Sequence, residues 1–237
     1  MKKINTIIIC LSLLMIFHAP AVAQDRDERI EGSGNLVTKE IPVQSFDNID
    51  LSGVYSVVLQ QGQKEQVKIE ADDNLQQLFI VTNEGTTLKI RMKEHSNFNS
   101  KTKMKVYITV GKLKKMDLSM VGGISSDQNL NFDELTIHNS SVGSIDLKLT
   151  AQTLHIKSSG VGHVKLTGKA ENAFFTNTGV GSIYAADFVV QVMHIDNTGV
   201  GSSEVNAEKE ITVRDSFLGK VRNKGNATVK RIRGTVI

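Results

Sequence analysis

Cysteine is all but missing: among 237 residues Cys10 is the only one. It stands inside an apolar leader, so a chain that starts after that leader can form no internal disulfide and no cysteine-ligated metal site. Cys10 follows Ile7, Ile8 and Ile9 in mid-run rather than a Leu-small-small stretch, which argues against lipidation. Tryptophan is absent, aromatics make up 5%, and two prolines stand against nineteen glycines. That balance excludes collagen and Pro-rich linkers and points to many tight corners. The apolar leader is shorter than the roughly 20 residues a membrane-spanning helix needs. Strong charge of one sign is missing too. The formal charge is +3, and without Lys2 and Lys3 it is +1, from 26 bases against 25 acids. A nucleic-acid binder carries far more positive charge.

The first residues form an address. Met1-Lys2-Lys3 is followed by an apolar stretch at 4–17, then by the small-x-small pattern Ala21-Val22-Ala23 before Gln24. This predicts a secretory signal peptide over 1–23 and places the mature chain in the periplasm, on the cell surface or outside the cell. Residues 24–34, charged and then Gly-Ser-Gly, read as a flexible lead-in, and 35–237 as a single domain. Charge is unevenly spread: 85–115 hold 9 bases and 1 acid, 116–213 hold 5 and 11, and 214–237 hold 7 and 1.

Self-similarity decides the fold class. From residue 113 to about 225 the chain repeats LSMVGGI (118–124), NSSVGSI (139–145), SSGVGHV (158–164), NTGVGSI (177–183), NTGVGSS (197–203) and DSFLGKV (215–221). The anchoring glycines are Gly122, Gly143, Gly162, Gly181, Gly201 and Gly219, spaced by 21, 19, 19, 20 and 18 residues. Three positions earlier stand Ser119, Ser140, Ser159, Thr178, Thr198 and Ser216. The residues before each glycine are Val121, Val142, Val161, Val180, Val200 and Leu218. Apolar and polar columns alternate upstream, with Leu135, Thr136 and Ile137 matching Leu154, His155 and Ile156. Period two means strand rather than helix.

One 20-residue turn cannot bury its own apolar face, whereas stacked turns can. The expected fold is therefore all-β: a parallel β-helix, or β-solenoid, with turns of about 20 residues. Neighbouring turns should lie about 4.8 Å apart. The glycines are expected at structural corners, the Ser/Thr column as a ladder bonding between turns, and the Val/Ile columns as packed ladders. Strand patterns at 46–60, 65–71, 86–92 and 104–110 supply the first turns or a cap, and 48–54 resembles 115–121.

The front segment Gly32-Ser33-Gly34-Asn35, the run from Phe46 to Tyr55, Val58 to Gly62, Val67 to Leu75 and Val106 to Val110 carry a resemblance. With the later Ser-Gly-Val-Gly repeats, they are similar to the putative auto-transporter adhesin, head GIN domain family of bacterial envelope proteins. The resemblance covers nearly all of the mature chain. It implies an exported, β-helical protein without enzymatic activity; it brings no ligand and no functional residues.

The residues are sparing with chemistry. His155 and His194 share a column two turns apart with Phe174 between them, too far for one metal ion. His138 and His163 fall in other columns and His95 in a polar loop. A serine ladder is not a nucleophile with its base, and no Gly-x-Ser-x-Gly elbow is present. Asp117 and Asp196 share a column four turns apart, whereas glycoside hydrolysis needs carboxylates about 5–9.5 Å apart. Asp146, Lys165 and Glu204 share another column. The expectation is therefore no enzyme, no catalytic or metal residue and no cofactor. It is a binding module facing an unknown envelope or extracellular glycan or protein, with no nucleic-acid partner. The alternative is a structural envelope protein that self-associates. No residue is assigned to a binding surface.

Overall fold

The structure, a computed structural model, describes residues 29–94 and 96–232. The leader with Cys10, and His95, lie outside the described residues.

Short front strands come first: β1 (Ile30–Glu31), β2 (Leu36–Ile41), β3 (Asn48–Val54), β4 (Ser56–Gln61) and β5 (Gln66–Asp72). After a 3-10 helix over Asp73–Leu78 come β6 (Phe79–Glu84), β7 (Thr87–Met92), β8 (Phe98–Asn99) and β9 (Lys105–Val110). The repeats supply β10 (Lys115–Val121), β11 (Ile124–Ser125), β12 (Leu130–Asn139), β13 (Ile145–Ser158), β14 (Val164–Asn177), β15 (Ile183–Asn197) and β16 (Ser203–Asp215). The last turn ends in β17 (Val221–Asn223) and β18 (Val229–Arg231).

The repeats wind as a parallel β-solenoid, and the ladder register follows the repeat alignment. Met116 pairs with Ile137, then Ile156, Phe175, Ile195 and Val213. All six are buried and fill the interior, each such side chain contributing about 1.5–3 kcal/mol of burial. The ladders skip a pairing at Asp133, Gln152 and Glu171, and β14–β15 and β15–β16 also shift register, the first between Lys165 and Gly168. A third, short side is held by the bridges Val121–Val142–Val161–Val180–Val200.

Spatial order departs from chain order at the front. β3 and β4 make one turn, and β10 and β11 stack on it with Lys115 beside Asn48 and Val121 beside Val54. The opposite edges of β3 and β4 are taken by β7 and β9, both parallel. Residues 87–110 thus form a turn that lies before 48–61 in space although it follows in sequence. The chain then doubles back over that turn: β6 runs antiparallel to β7, β5 to β9, and β2 to β5. These reversals cover an edge that would otherwise template another chain, and the outermost strands carry Lys39, Glu40 and Glu84.

The lead-in is tied down from Ile30 onward. β1 pairs with β8, and the fully buried Asp72 carboxylate accepts the N–H groups of Gly34 and Lys101 and the Ser100 hydroxyl. Burial pushes that carboxyl up. The Lys101 N–H and Ser100 hydroxyl push it down harder, so it ends below the ordinary carboxylate range.

Candidate functional site

Four depressions stand out on the surface of the described residues. Two lie where the chain returns from the cap to the repeats. One, of about 770 Å³, is lined by Phe46, Glu65 and Gln128; the other, about 980 Å³, by Lys112, Phe132 and Gln152. Both belong to a joint already occupied by protein bonds. Gln61 donates to the Asn131 carbonyl and accepts the Asn131 N–H, and Lys114 meets Asp47 at 2.7 Å. That ion pair holds the Asp47 carboxyl below its usual range and raises the Lys114 ammonium.

The third depression is a groove of about 420 Å³ running along the solenoid axis. One wall is the hydroxyl column Ser119, Ser140, Ser159 and Thr178. The other is Asp117, His138, Lys157 and Thr176, and the floor is Leu118, Asn139 and Ser158. Strand alternation makes this arrangement: 138 and 140 point out while 139 points in. A fourth depression, of about 560 Å³, is also lined by stacked columns, among them Thr150, Lys169 and Val189; the groove is the smallest of the four, and it is the one walled by the serine column.

The serine hydroxyls do not bond to one another. Ser119, Ser140 and Ser159 donate to the carbonyls of Leu51, Leu118 and Asn139 in the preceding turn, at 3.2, 3.1 and 3.5 Å. Their oxygen lone pairs are left for the groove. Thr178 and Thr198 continue the column at the same register, and Ser216 instead accepts the Gly219 N–H at 2.9 Å.

The floor carries a second polar column that the sequence reading passed over. Asn139, Ser158, Asn177, Asn197 and Asp215 stack in register, and the first four are buried. Asn139 donates to Ser158 Oγ at 3.1 Å and Asn177 to Asn197 Oδ1 at 2.8 Å. The Oδ1 of Asn139 and of Asn177 accepts the N–H two residues on, the Asx bond that turns a chain. The signal was the Asn/Asp/Ser set four positions before each glycine after Gly122, where Leu118 stands instead.

The glycine column lies beyond the Ser/Thr wall. Gly122, Gly143, Gly162, Gly181 and Gly201 have φ between 133° and 151°, a region closed to other residues. A Cβ on Gly181 would lie on the Gly162 carbonyl oxygen, and the column continues upward to the Tyr55 carbonyl above Gly122. Gly219 differs: its φ is outside that region, and its Cβ would meet Asn197 O.

The valine column is not a packed ladder. Val121, Val142, Val161 and Val180 are 50–52% exposed, with Val200 at 46% and Leu218 at 60%. The packed ladder is the one beyond the glycines, Ile124, Ile145, Val164 and Ile183. The alternation breaks at the positive-φ glycine, which lets valine face out and isoleucine, three residues on, face in. The valines thus form a half-exposed ridge of methyl groups on the short side, two residues beyond the serine column.

His155, Phe174 and His194 stack with ring centroids 4.7 and 5.2 Å apart and planes within 8°. Asp146, Lys165, Tyr184 and Glu204 form one column, with Lys165 at 3.5 Å from Asp146. Asp117 and Asp196 stand four ladder steps apart, about 19 Å. Among the described residues no cluster of three or more His, Cys, Asp or Glu side chains could hold a metal ion, and no helix is long and apolar enough to cross a membrane.

No curated protein matches the chain. Among solved structures it resembles a putative adhesin from Bacteroides fragilis, with 31% identity, 86% of this chain and 100% of that chain covered, and a TM-score of 0.76. A putative adhesin from Parabacteroides distasonis is 20% identical over 87% of this chain and 96% of its own, with a TM-score of 0.67. A putative lipid binding protein from the same organism is 19% identical over 86% and 100%, with a TM-score of 0.59. The last two likenesses speak for the fold alone. Residues 45–227, which hold the repeats and most of the front strands, match one family, and the chain belongs to it: the putative auto-transporter adhesin, head GIN domain family.

Proposed function

We propose that the chain is an exported, non-catalytic binding module of the bacterial cell envelope, presenting its solenoid groove to a glycan or protein partner. The groove carries this reading: hydroxyls repeat along one wall, an imidazole and an ammonium stand on the other, and half-exposed valines lie two residues beyond the hydroxyls. The Asp117–Asp196 spacing of about 19 Å speaks against a paired-carboxylate hydrolase. Localisation follows from the leader and from the adhesin family. In this reading Gly122, Gly143, Gly162, Gly181, Gly201 and Gly219 are structural corners, and the Ser/Thr column is part of the binding face.

The test is a pull-down of glycans and envelope fractions with purified residues 24–237, run beside an assay for released sugar ends. Saturable capture of one component without turnover is expected; release of sugar ends would overturn the reading. The exposed valine ridge favours one second reading, a self-associating structural protein. That reading requires oligomers that grow with concentration and capture nothing.

A further inference from the structure

The groove has one charge left over. Its outer column runs Asp117, His138, Lys157, Thr176, Asp196, Arg214. Asp117 is met by Lys115 at 2.8 Å and by His138 Nδ1 at 3.0 Å, and Asp196 by Arg214 at 3.2 Å. Lys157, exposed between His138 and Thr176, has no hydrogen bond or ion pair from its side chain among the described residues. The groove therefore offers an uncompensated cation at its midpoint.

The opposite wall restricts what can use that cation. Ser119, Ser140 and Ser159 have spent their protons on backbone carbonyls, so toward the groove they act as acceptors. A ligand must bring an anion for Lys157 and hydroxyl donors for the serines. A ligand that reaches past the serines must also tolerate methyl groups, since Val142, Val161 and Val180, two residues further along each turn, are half-exposed. The ligand must be narrow and long, because the hydroxyl acceptors recur every turn, about 4.8 Å apart. That rise is close to one pyranose residue of an extended chain, so successive sugars meet successive turns.

On the reading of the chain as a binding module, we infer that the groove holds a linear acidic polysaccharide parallel to the solenoid axis. A uronate carboxylate sits on Lys157, ring hydroxyls donate to the serine column, and sugar C–H faces lie on the valine ridge. Lys157 is the specificity residue for acid over neutral chains.

The experiment measures binding of residues 24–237 to polygalacturonate and to uncharged dextran at low salt, by calorimetry or affinity electrophoresis. Polygalacturonate should bind at least about tenfold tighter than dextran. Lys157→Gln should weaken it about twofold to fivefold, as expected for one exposed ion pair, and Lys157→Glu should weaken it further. Salt near 0.5 M should shrink these differences. The melting temperature of each variant should match the parent, since Lys157 supports no contact. Lys209→Gln, exposed on β16 outside the groove, should bind as the parent does. Equal affinity for both polymers, or indifference to Lys157→Gln, overturns the acidic-chain inference while the binding-module reading stands. Failure to bind either polymer, with an envelope protein captured in the pull-down, also overturns it and leaves a protein ligand. Silence in every assay overturns both.

Discussion

At the scale of single residues, backbone geometry fixes what each position tolerates. Gly181, at φ 148°, has the Gly162 carbonyl where a Cβ would go. Gly181→Val is expected to destabilise the chain by about 3–5 kcal/mol in denaturant titration. Gly85, at φ 58° with open space around its Cβ site, lies in the left-handed region that asparagine accepts, so Gly85→Asn should cost less than about 1 kcal/mol. Equal costs at the two positions would contradict the stacked-corner geometry. Asp72 gives a pH dependence. Its carboxyl lies below the usual range because hydrogen bonds from Lys101 and Ser100 outweigh its burial. A depressed folded pKa contributes stability that is whole above the unfolded value, about 3.9, and is lost as the pH falls through the folded value. Thermal unfolding should be insensitive to this group above about pH 5 and lose stability below about pH 4. Asp72→Asn should be less stable at neutral pH and show a flatter acid limb. The glycine spacing was legible in the sequence because only glycine survives a backbone-on-backbone contact. The Asp72 lock was not, because its partners lie 28–38 residues away.

At the scale of strands and columns, alternation predicted the ladders but not which way each one faces. The columns of Ile137 and of His155 follow the alignment residue by residue, since period two persists along a strand. The valine column was misjudged because Val is apolar whichever way it points, and the positive-φ corner that turns it outward leaves no mark on its own side chain. This difference is measurable. Ile183→Thr, at a 3% exposed site, should cost about 2–3 kcal/mol, whereas Val180→Thr, 51% exposed, should stay within about 0.5 kcal/mol. Comparable losses from both would return the valines to the interior. The asparagine column shows how a polar ladder can be buried: Asn139 and Asn177 bond along the axis and turn their own chain, and Asn197 donates within its own turn to Gly201 O and Ser203 Oγ.

At the scale of the whole molecule, two ends are managed differently. The front end is closed by antiparallel strands that fold back over residues 87–110, and the far end stops at β17 and β18 with Arg222, Lys230 and Arg231 exposed. The likeness of 48–54 to 115–121 made one early turn legible. That 87–110 precedes it in space was not, because order along the axis is set by edge covering rather than by local pattern. Between the ends, six similar turns present one continuous outer strip, and the account rests on that strip rather than on an enclosed pocket. Hydroxyl-radical footprinting of the chain, with and without saturating captured ligand, tests it most directly. Protection should fall on His138, Val142, Val161 and Val180, recurring at the repeat spacing. Protection confined to Phe46, Phe132 and the cap joint, with those four side chains still fully reactive, would contradict it.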